Sequence, residues 1–345
     1  MLSLVEASLD DFKAFVKSSG QPAFRAGQIA EWVYKHHQLD PDKMLNLPKK
    51  LRESLKENFV CCSSKLIEKT KSGDNTTKLL ISLEDKEAVE MVIIPSVDRI
   101  TFCLSTQVGC PVQCRFCASG SGGLVRNLKA CEILEQLYHG IVEIGCLPDN
   151  IVFMGIGEGL LNFNNLSLAL DRISSPDYIG MSPRRITVST SGYVPGIYKL
   201  IELGKPFILA VSLHAADEET RARIIPDKLR FSISEILEAC DAYEDKIGRM
   251  VTFEYTMLAG INDSTSAADK LAVIARKHHA KVNLIPYNET DSEYKRPSEI
   301  DIFKFRDILE REGVTVMLRM EKGSKVSAAC GQLRVQHLRK NKDND

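Results

Sequence analysis

An α/β fold is what this sequence of 345 residues predicts: a parallel sheet, open or closed into a barrel, behind a small helical domain and a β-hairpin. Three observations carry that expectation. Apolar residues recur at three- and four-residue intervals through the first ~60 positions, and the next ~35 alternate or run apolar as strands do. From residue ~100 onward, short apolar runs alternate with helical stretches, which is the order of βα units.

The elements follow in chain order. SLDDFKAFVKSS, FRAGQIAEWVYKHH and NLPKKLRESLKENF read as helices, with Ser, Asp or Asn near their starts as caps. TKLLISLED and AVEMVIIP, bounded by the turn-like KSGDN and EDKE, read as a hairpin. The strands ITFCLST, NIVFMG, RRITVST, PFILAVSLH, MVTFEYTML, AKVNLIPY and VTVMLRM then alternate with helices such as NLKACEILEQLYHGIVEI and TSAADKLAVIARKHH. This divides the chain into a helical domain over 1–60, a hairpin linker over 61–98, the main α/β domain over 99–333 and a charged tail over 334–345.

Composition bounds the class without naming a partner. With 44% hydrophobic residues the chain can bury a substantial core, and a formal net charge of −1 neither demands nor forbids nucleic acid. Basic runs exist at Lys49, Lys50 and Arg52, at Arg184 and Arg185, at Arg276, Lys277 and Lys281, and at Arg334, Arg339, Lys340 and Lys342. Taken alone they read as solvated faces. No apolar run approaches the ~18 residues that span a bilayer, and MLSLVEASLDDF lacks the basic and apolar regions of a secretory signal. A soluble cytoplasmic protein with no membrane partner is expected.

The cysteines carry the chemistry. Cys110, Cys114 and Cys117 stand in GCPVQCRFC with spacing CxxxCxxC. Three thiolates on one tight loop can hold three irons of a 4Fe-4S cluster and leave the fourth open to a small molecule. Structural zinc would need a fourth ligand borrowed from elsewhere. A disulfide framework belongs to short secreted chains.

Polar residues then fall where such a fold binds ligands. The strands end in Ser105, in Gly155 to Glu158, in Ser189 to Gly192, in Ser212 and His214, and in Asn283 with Pro286 and Asn288. In parallel α/β architectures, ligands sit at the carboxyl ends of strands, so these residues and the cysteine loop are expected at one mouth.

The CxxxCxxC loop resembles that of the radical S-adenosylmethionine (SAM) enzymes, and the surrounding words are similar to those of the RlmN/Cfr family of RNA adenine methyltransferases. The similar stretches include FRAGQIAEWVYKHH, AVEMVIIP, FCLSTQVGCPVQCRFCASGSGGLVRNL, MGIGEGLLNFNN, ITVSTSGYVPGI, LAVSLHAADEETR, KVNLIPYN and AACGQL, in family order across nearly the whole chain. The resemblance implies a partial (β/α) radical SAM barrel. It implies a 4Fe-4S cluster on Cys110, Cys114 and Cys117, with SAM near Gly157, Glu158, Ser189, Ser212, Leu213, His214 and Asn283. It makes Cys330 the carrier of a methyl group, Cys103 the thiol that releases the product by forming a disulfide with it, and Glu90 the base. Cys61, Cys62, Cys131, Cys146 and Cys240 match no role and read as small buried hydrophobes.

The same resemblance implies methylation of carbon 2 of an adenosine in the peptidyl-transferase centre of 23S rRNA, with two SAM per turnover. It further implies an RNA-contacting role for the helical domain, a tRNA adenosine next to the anticodon as a second substrate, and an electron donor such as flavodoxin. Methylation at carbon 8, as in Cfr, is the alternative; a different acceptor or a catalytically silent RNA-binding homologue are the others. Three departures bear on this: Gly159 where most RlmN members have proline, IIPDKLR in place of an MPINR-like stretch, and Ser327 in place of an acidic residue.

Overall fold

The computed structural model describes residues 1–290, 292–319, 329 and 331–333. Cys330, Ser327 and the 334–345 tail therefore lie outside the described residues. The chain opens with three helices, α1 (Leu9–Ser18), α2 (Phe24–Tyr34) and α3 (Lys49–Asn58). Ser8 caps α1 through a reciprocal box with Asp11, satisfying amides that a helix start leaves unbonded.

Ten strands then build one sheet, and their spatial order is the order of the chain. They are β1 (Lys65–Lys71), β2 (Thr77–Ser82), β3 (Ala88–Pro95), β4 (Ile100–Cys103), β5 (Asn150–Phe153), β6 (Ile186–Thr190), β7 (Ile208–Ser212), β8 (Thr252–Met257), β9 (Lys281–Pro286) and β10 (Val316–Leu318). Neighbours from β1 to β4 pair antiparallel. From β4 to β10 every pair is parallel, so each connection must cross back over the sheet. The crossings carry α4 (Ala130–Ile144), α5 (Phe163–Ser174), α6 (Val194–Glu202), α7 (Glu218–Ile224), α8 (Ile233–Ile247), α9 (Thr265–Lys277) and α10 (Glu299–Arg311). All seven expected strands of the parallel part are present.

The region before them is larger than a hairpin. A further strand, β1, precedes it, and the antiparallel pairing of Val92 with Cys103 welds all three strands to the barrel sheet. KLIEKTK hides from a hydrophobic reading because most of its side chains are exposed. Its order comes from backbone pairing with β2, and lysines on an edge discourage pairing with another chain.

Inward-facing positions recur with period two: Thr187 and Ser189 on β6, Ala210 and Ser212 on β7, Glu254 and Thr256 on β8, Asn283 and Ile285 on β9. Ile94 of β3 and Arg319, just after β10, line the same cavity, so the sheet curls into a partial barrel. The helical domain is seated on its outer face. Tyr138 on α4 donates to the Val33 carbonyl at 2.9 Å, the Cys131 amide donates to Glu6 at 2.8 Å, and one apolar core runs through Phe12, Val33, Leu134 and Ile173.

Candidate active site

The cysteine loop is a closed purse. Its base is the antiparallel pairing of Gln107–Gly109 with Leu124–Asn127, and the Cys110 amide donates to Gly123 O at 2.9 Å. Gly109 sits at φ +76°, and a Cβ there would meet Gly123 O at 2.0 Å. No other residue fits that crossing. Val112 and Phe116 turn into an apolar cluster with Ala215, Ile224 and Leu258, against which the three cysteines pack.

Cys110, Cys114 and Cys117 line one cavity of about 150 Å³ at the carboxyl ends of the strands. Burial pushes the Cys110 thiol up to about 12, with Cys117 and Glu158 adding to the rise, and raises Cys114 and Cys117 as well. Thiolates here need a cation to hold their charge, which iron supplies. Three soft thiol donors on one loop, all facing one cavity, are a donor set that fits three irons of a 4Fe-4S cluster.

The strand ends meet this loop. After β5 the chain turns through Gly157 at φ +114°, where a Cβ would press on Gln107 and Thr106 at under 3 Å. The Glu158 amide bonds Gln107 Oε1 at 2.7 Å, and its carboxylate accepts from the Leu160 and Ser191 amides at 3.2 and 2.6 Å. Burial raises this carboxyl above its ordinary value, while the Ser191 bond opposes the rise. Ser189 and Ser212 line the same cavity. His214, at φ +56°, accepts the Thr256 amide on Nδ1 at 3.0 Å and meets Phe116 edge-on at 4.9 Å. Burial, then Arg221, drive its pKa down to about 3, so the ring is neutral with the proton on Nε2.

Not every expected residue reaches this cavity. The Leu213 side chain is fully buried and does not line the cavity, and its carbonyl accepts from Arg221 at 2.7 Å. Ser105 is buried in a bonded relay, donating to Glu90 O and accepting from the Ile156 amide. Asn283 donates to Glu254 at 2.8 Å and lines a second cavity of about 670 Å³, toward the amino ends of the strands. Glu90 lies on β3, buried, with an ion pair to Lys78 at 2.8 Å. It lines neither cavity, though it shares a strand face with Val92 and Ile94.

Cys103 ends β4, buried against Val92, Ile156 and Leu333, and lines the cluster cavity. Ala329 and Gly331, on either side of Cys330, line it too. That segment is tied down by Ala118 N to Gly331 O at 2.8 Å and by Ser119 Oγ to Leu333 O at 2.7 Å. No disulfide joins two described residues. Of the five cysteines read as buried hydrophobes, Cys131 and Cys240 are buried, whereas Cys62 and Cys146 are exposed and Cys61 is half-buried. Cys61 still packs against the edge of the main core, whereas Cys62 and Cys146 do not join it.

Three charged residues escaped the sequence reading. Glu254 faces inward from β8 and lines both cavities, with its carboxyl pushed up by burial to about 7. Arg319 lines both as well, and Arg221 is buried beneath the strand ends. Their signal was faint: a lone charge within an apolar strand, or on a short polar helix.

Comparison with known proteins completes the site. Residues 2–61 match the Ribosomal RNA large subunit methyltransferase N-terminal domain, and residues 104–271 match the Radical SAM superfamily. A probable dual-specificity RNA methyltransferase RlmN of Carboxydothermus hydrogenoformans is 41% identical over 340 residues, covering 98% of this chain and 99% of that protein. One from Opitutus terrae, RlmN 3, is 43% identical, covering 96% of this chain and 94% of its own. The crystal structure of a radical SAM methyltransferase from Sphaerobacter thermophilus superposes with a TM-score of 0.92 at 37% identity, covering 97% and 99% of the two chains.

Proposed function

Because this chain belongs to the RlmN family of radical SAM RNA methyltransferases, we propose that it methylates carbon 2 of an adenosine in the peptidyl-transferase centre of 23S rRNA. A tRNA adenosine next to the anticodon is its second substrate. The observation that carries the reading is convergence: Cys110, Cys114, Cys117, Cys103 and both neighbours of Cys330 line one cavity. A radical enzyme that needed only its cluster would have no use for a further cysteine, Cys103, in that cavity.

The family's cofactors are a 4Fe-4S cluster and SAM. When bound, they supply the electron and the radical that an electron-poor aromatic carbon requires. The chain's own residues do the rest. Cys110, Cys114 and Cys117 hold three irons. Gly157 lets backbone approach SAM closely; Glu158, Ser189, Ser212 and His214 offer it acceptors and donors, and Leu213 holds that strand end through its bond to Arg221. Asn283 closes the floor through Glu254. Cys330 takes a methyl group on sulfur and carries it to the base. Glu90 removes the proton that leaves carbon 2, after moving off Lys78. The Cys103 thiolate then attacks the Cys330 sulfur, so that a disulfide forms as the bond from sulfur to the product carbon breaks; that carbon keeps the electron pair and takes a proton to become the methyl group, and a thiol reductant reopens the disulfide for the next turnover.

The second cavity supports the path of the RNA. It shares Ile94, Met154, Glu254, Ile285, Arg319 and Ala329 with the first, so one layer of side chains stands between the cluster cavity and the opposite mouth. Arg99, Arg249 and Lys281 line that mouth. The target base enters there, its flanking phosphates held by these cations, while the helical domain of residues 1–60 touches the RNA further out through exposed Lys49 and Lys50. Among the described residues no helix is long and apolar enough to cross a membrane. The protein works in the cytoplasm, reduced by a donor of the flavodoxin kind.

Nucleoside mass spectrometry after anaerobic reaction of the reconstituted protein with unmodified large-subunit rRNA, SAM and a reductant tests this. 2-Methyladenosine is expected; 8-methyladenosine would place the chain with Cfr, and SAM cleavage without methyladenosine would mean another acceptor. Cys103→Ala should leave RNA covalently attached to Cys330, seen as a shifted band on a denaturing gel. Free methylated product at the normal rate from that variant would remove Cys103 from the mechanism.

A further inference from the structure

Arg221, on α7, is a fully buried arginine. Nη1 donates to the Leu213 carbonyl at 2.7 Å and the Ser212 carbonyl at 3.3 Å; Nη2 donates to the Ser191 carbonyl at 2.7 Å. Its Nε is buried without a hydrogen-bond partner, and among the described residues no carboxylate forms an ion pair with it. Glu218, on the same helix, accepts the Ile233 amide and supports the Arg221 charge only from a distance. A buried cation held only by neutral carbonyls is costly unless an anion balances it. Burial pulls its pKa down to about 10, which still leaves it charged near neutrality.

The anion on this side of the molecule is the cysteine loop. α7 is bonded directly to it, Arg115 N to Ile224 O at 3.0 Å. Ser191 and Ser212, whose carbonyls Arg221 holds, line the same cavity as Cys110, Cys114 and Cys117, so the guanidinium lies directly behind the wall of the cluster site. Three thiolates outweigh the two positive charges of an oxidised 4Fe-4S core, and one-electron reduction adds another negative charge. We propose that Arg221 is the built-in counter-ion of the cluster, a positioning residue that makes the cluster easier to reduce and ties that charge to the strand ends where SAM binds. A fixed positive charge in a dry site stabilises the reduced form more than the oxidised one, so the reduction potential rises. The same guanidinium clamps the Ser191 and Ser212–Leu213 carbonyls, so it sets cluster charge and backbone geometry together.

This rests on the cluster assignment, and one experiment separates the two. Anaerobically reconstituted wild type, Arg221→Lys and Arg221→Gln are titrated with a low-potential one-electron donor, and the reduced cluster is followed by electron paramagnetic resonance alongside iron content. In Arg221→Gln the reduced-to-oxidised ratio at the wild-type midpoint should fall at least tenfold, which is about 59 mV for a one-electron couple. Arg221→Lys should keep most of the wild-type potential. Loss of the cluster in the Gln variant with retention in the Lys variant also supports a requirement for charge. An unchanged potential in Arg221→Gln, or equal loss in both variants, overturns the proposal. No 4Fe-4S signal in wild type would instead overturn the cluster assignment itself.

Discussion

Two buried groups at the site titrate in opposite senses. Burial raises the Glu254 carboxyl from 4.5 to about 7, so between those values the folded chain holds a proton that the unfolded chain has lost, and stability falls as pH rises. His214 is lowered from 6.5 to about 3, so across that window the unfolded chain holds the extra proton and stability falls as pH drops. In cluster-free protein the two slopes oppose each other between pH 4.5 and 6.5. Glu254→Gln should unmask the His214 slope, giving stability that climbs with pH and exceeds wild type by roughly 3 kcal/mol at pH 8. His214→Asn should show the reverse, a steady decline from pH 4.5 to 7 in urea melts, and parallel profiles for both variants would refute the assignments. His214 was legible in the sequence because it closes an apolar run; Glu254 was not, because nothing in MVTFEYTML says which face of the strand looks into the lumen.

Glycines decide which elements can meet. At Gly109 the hairpin base crosses the cysteine loop with no room for a Cβ, whereas Gly140 on α4 brings that helix down onto Phe102, where a Cβ would lie 2.3 Å from the ring. Both positions look ordinary in sequence, since close approach is a property of two elements at once. Gly109→Ala should cost about 1–3 kcal/mol and strip iron from the reconstituted protein, because strain at positive φ is relieved only by opening the loop. Gly140→Ala should cost a similar amount of stability with iron content retained; iron lost equally from both would show that the loop is no separate device. Gly159 is a milder case. It opens the turn Gly159–Asn162, where a helix start leaves the amide unbonded, so proline and glycine are both admissible there. The departure from the common family pattern therefore removes rigidity together with the contact that a Cβ there would make with Leu166 and Thr106, at 3.2 and 3.4 Å.

At the scale of the molecule, strand order follows chain order, which is why a simple reading of alternating periods recovered the parallel sheet, while β1, paired through its backbone and bathed in solvent, gave no such signal. Charge is where the whole chain misleads. A net charge of −1 conceals a lumen whose far mouth carries Arg99, Arg249 and Lys281. The basic run of Arg276, Lys277 and Lys281 reads as a solvated face, yet Lys281 pairs with Thr252 across β8 and β9 and turns inward. If phosphates flanking the target base rest on this mouth, RNA affinity must fall with salt in proportion to the contacts made, by a slope of about 0.7 per phosphate for single strands. Arg249→Gln with Lys281→Gln should then weaken binding of an rRNA fragment and flatten the plot of log affinity against log salt by about one unit or more. SAM cleavage without RNA should be untouched, since both residues lie at the end of the barrel away from the cluster cavity. Filter binding between about 50 and 200 mM salt reads the slope directly. A weakened affinity with the wild-type slope would mean that these residues shape the mouth without touching phosphate, and the path of the RNA would have to lie along another face.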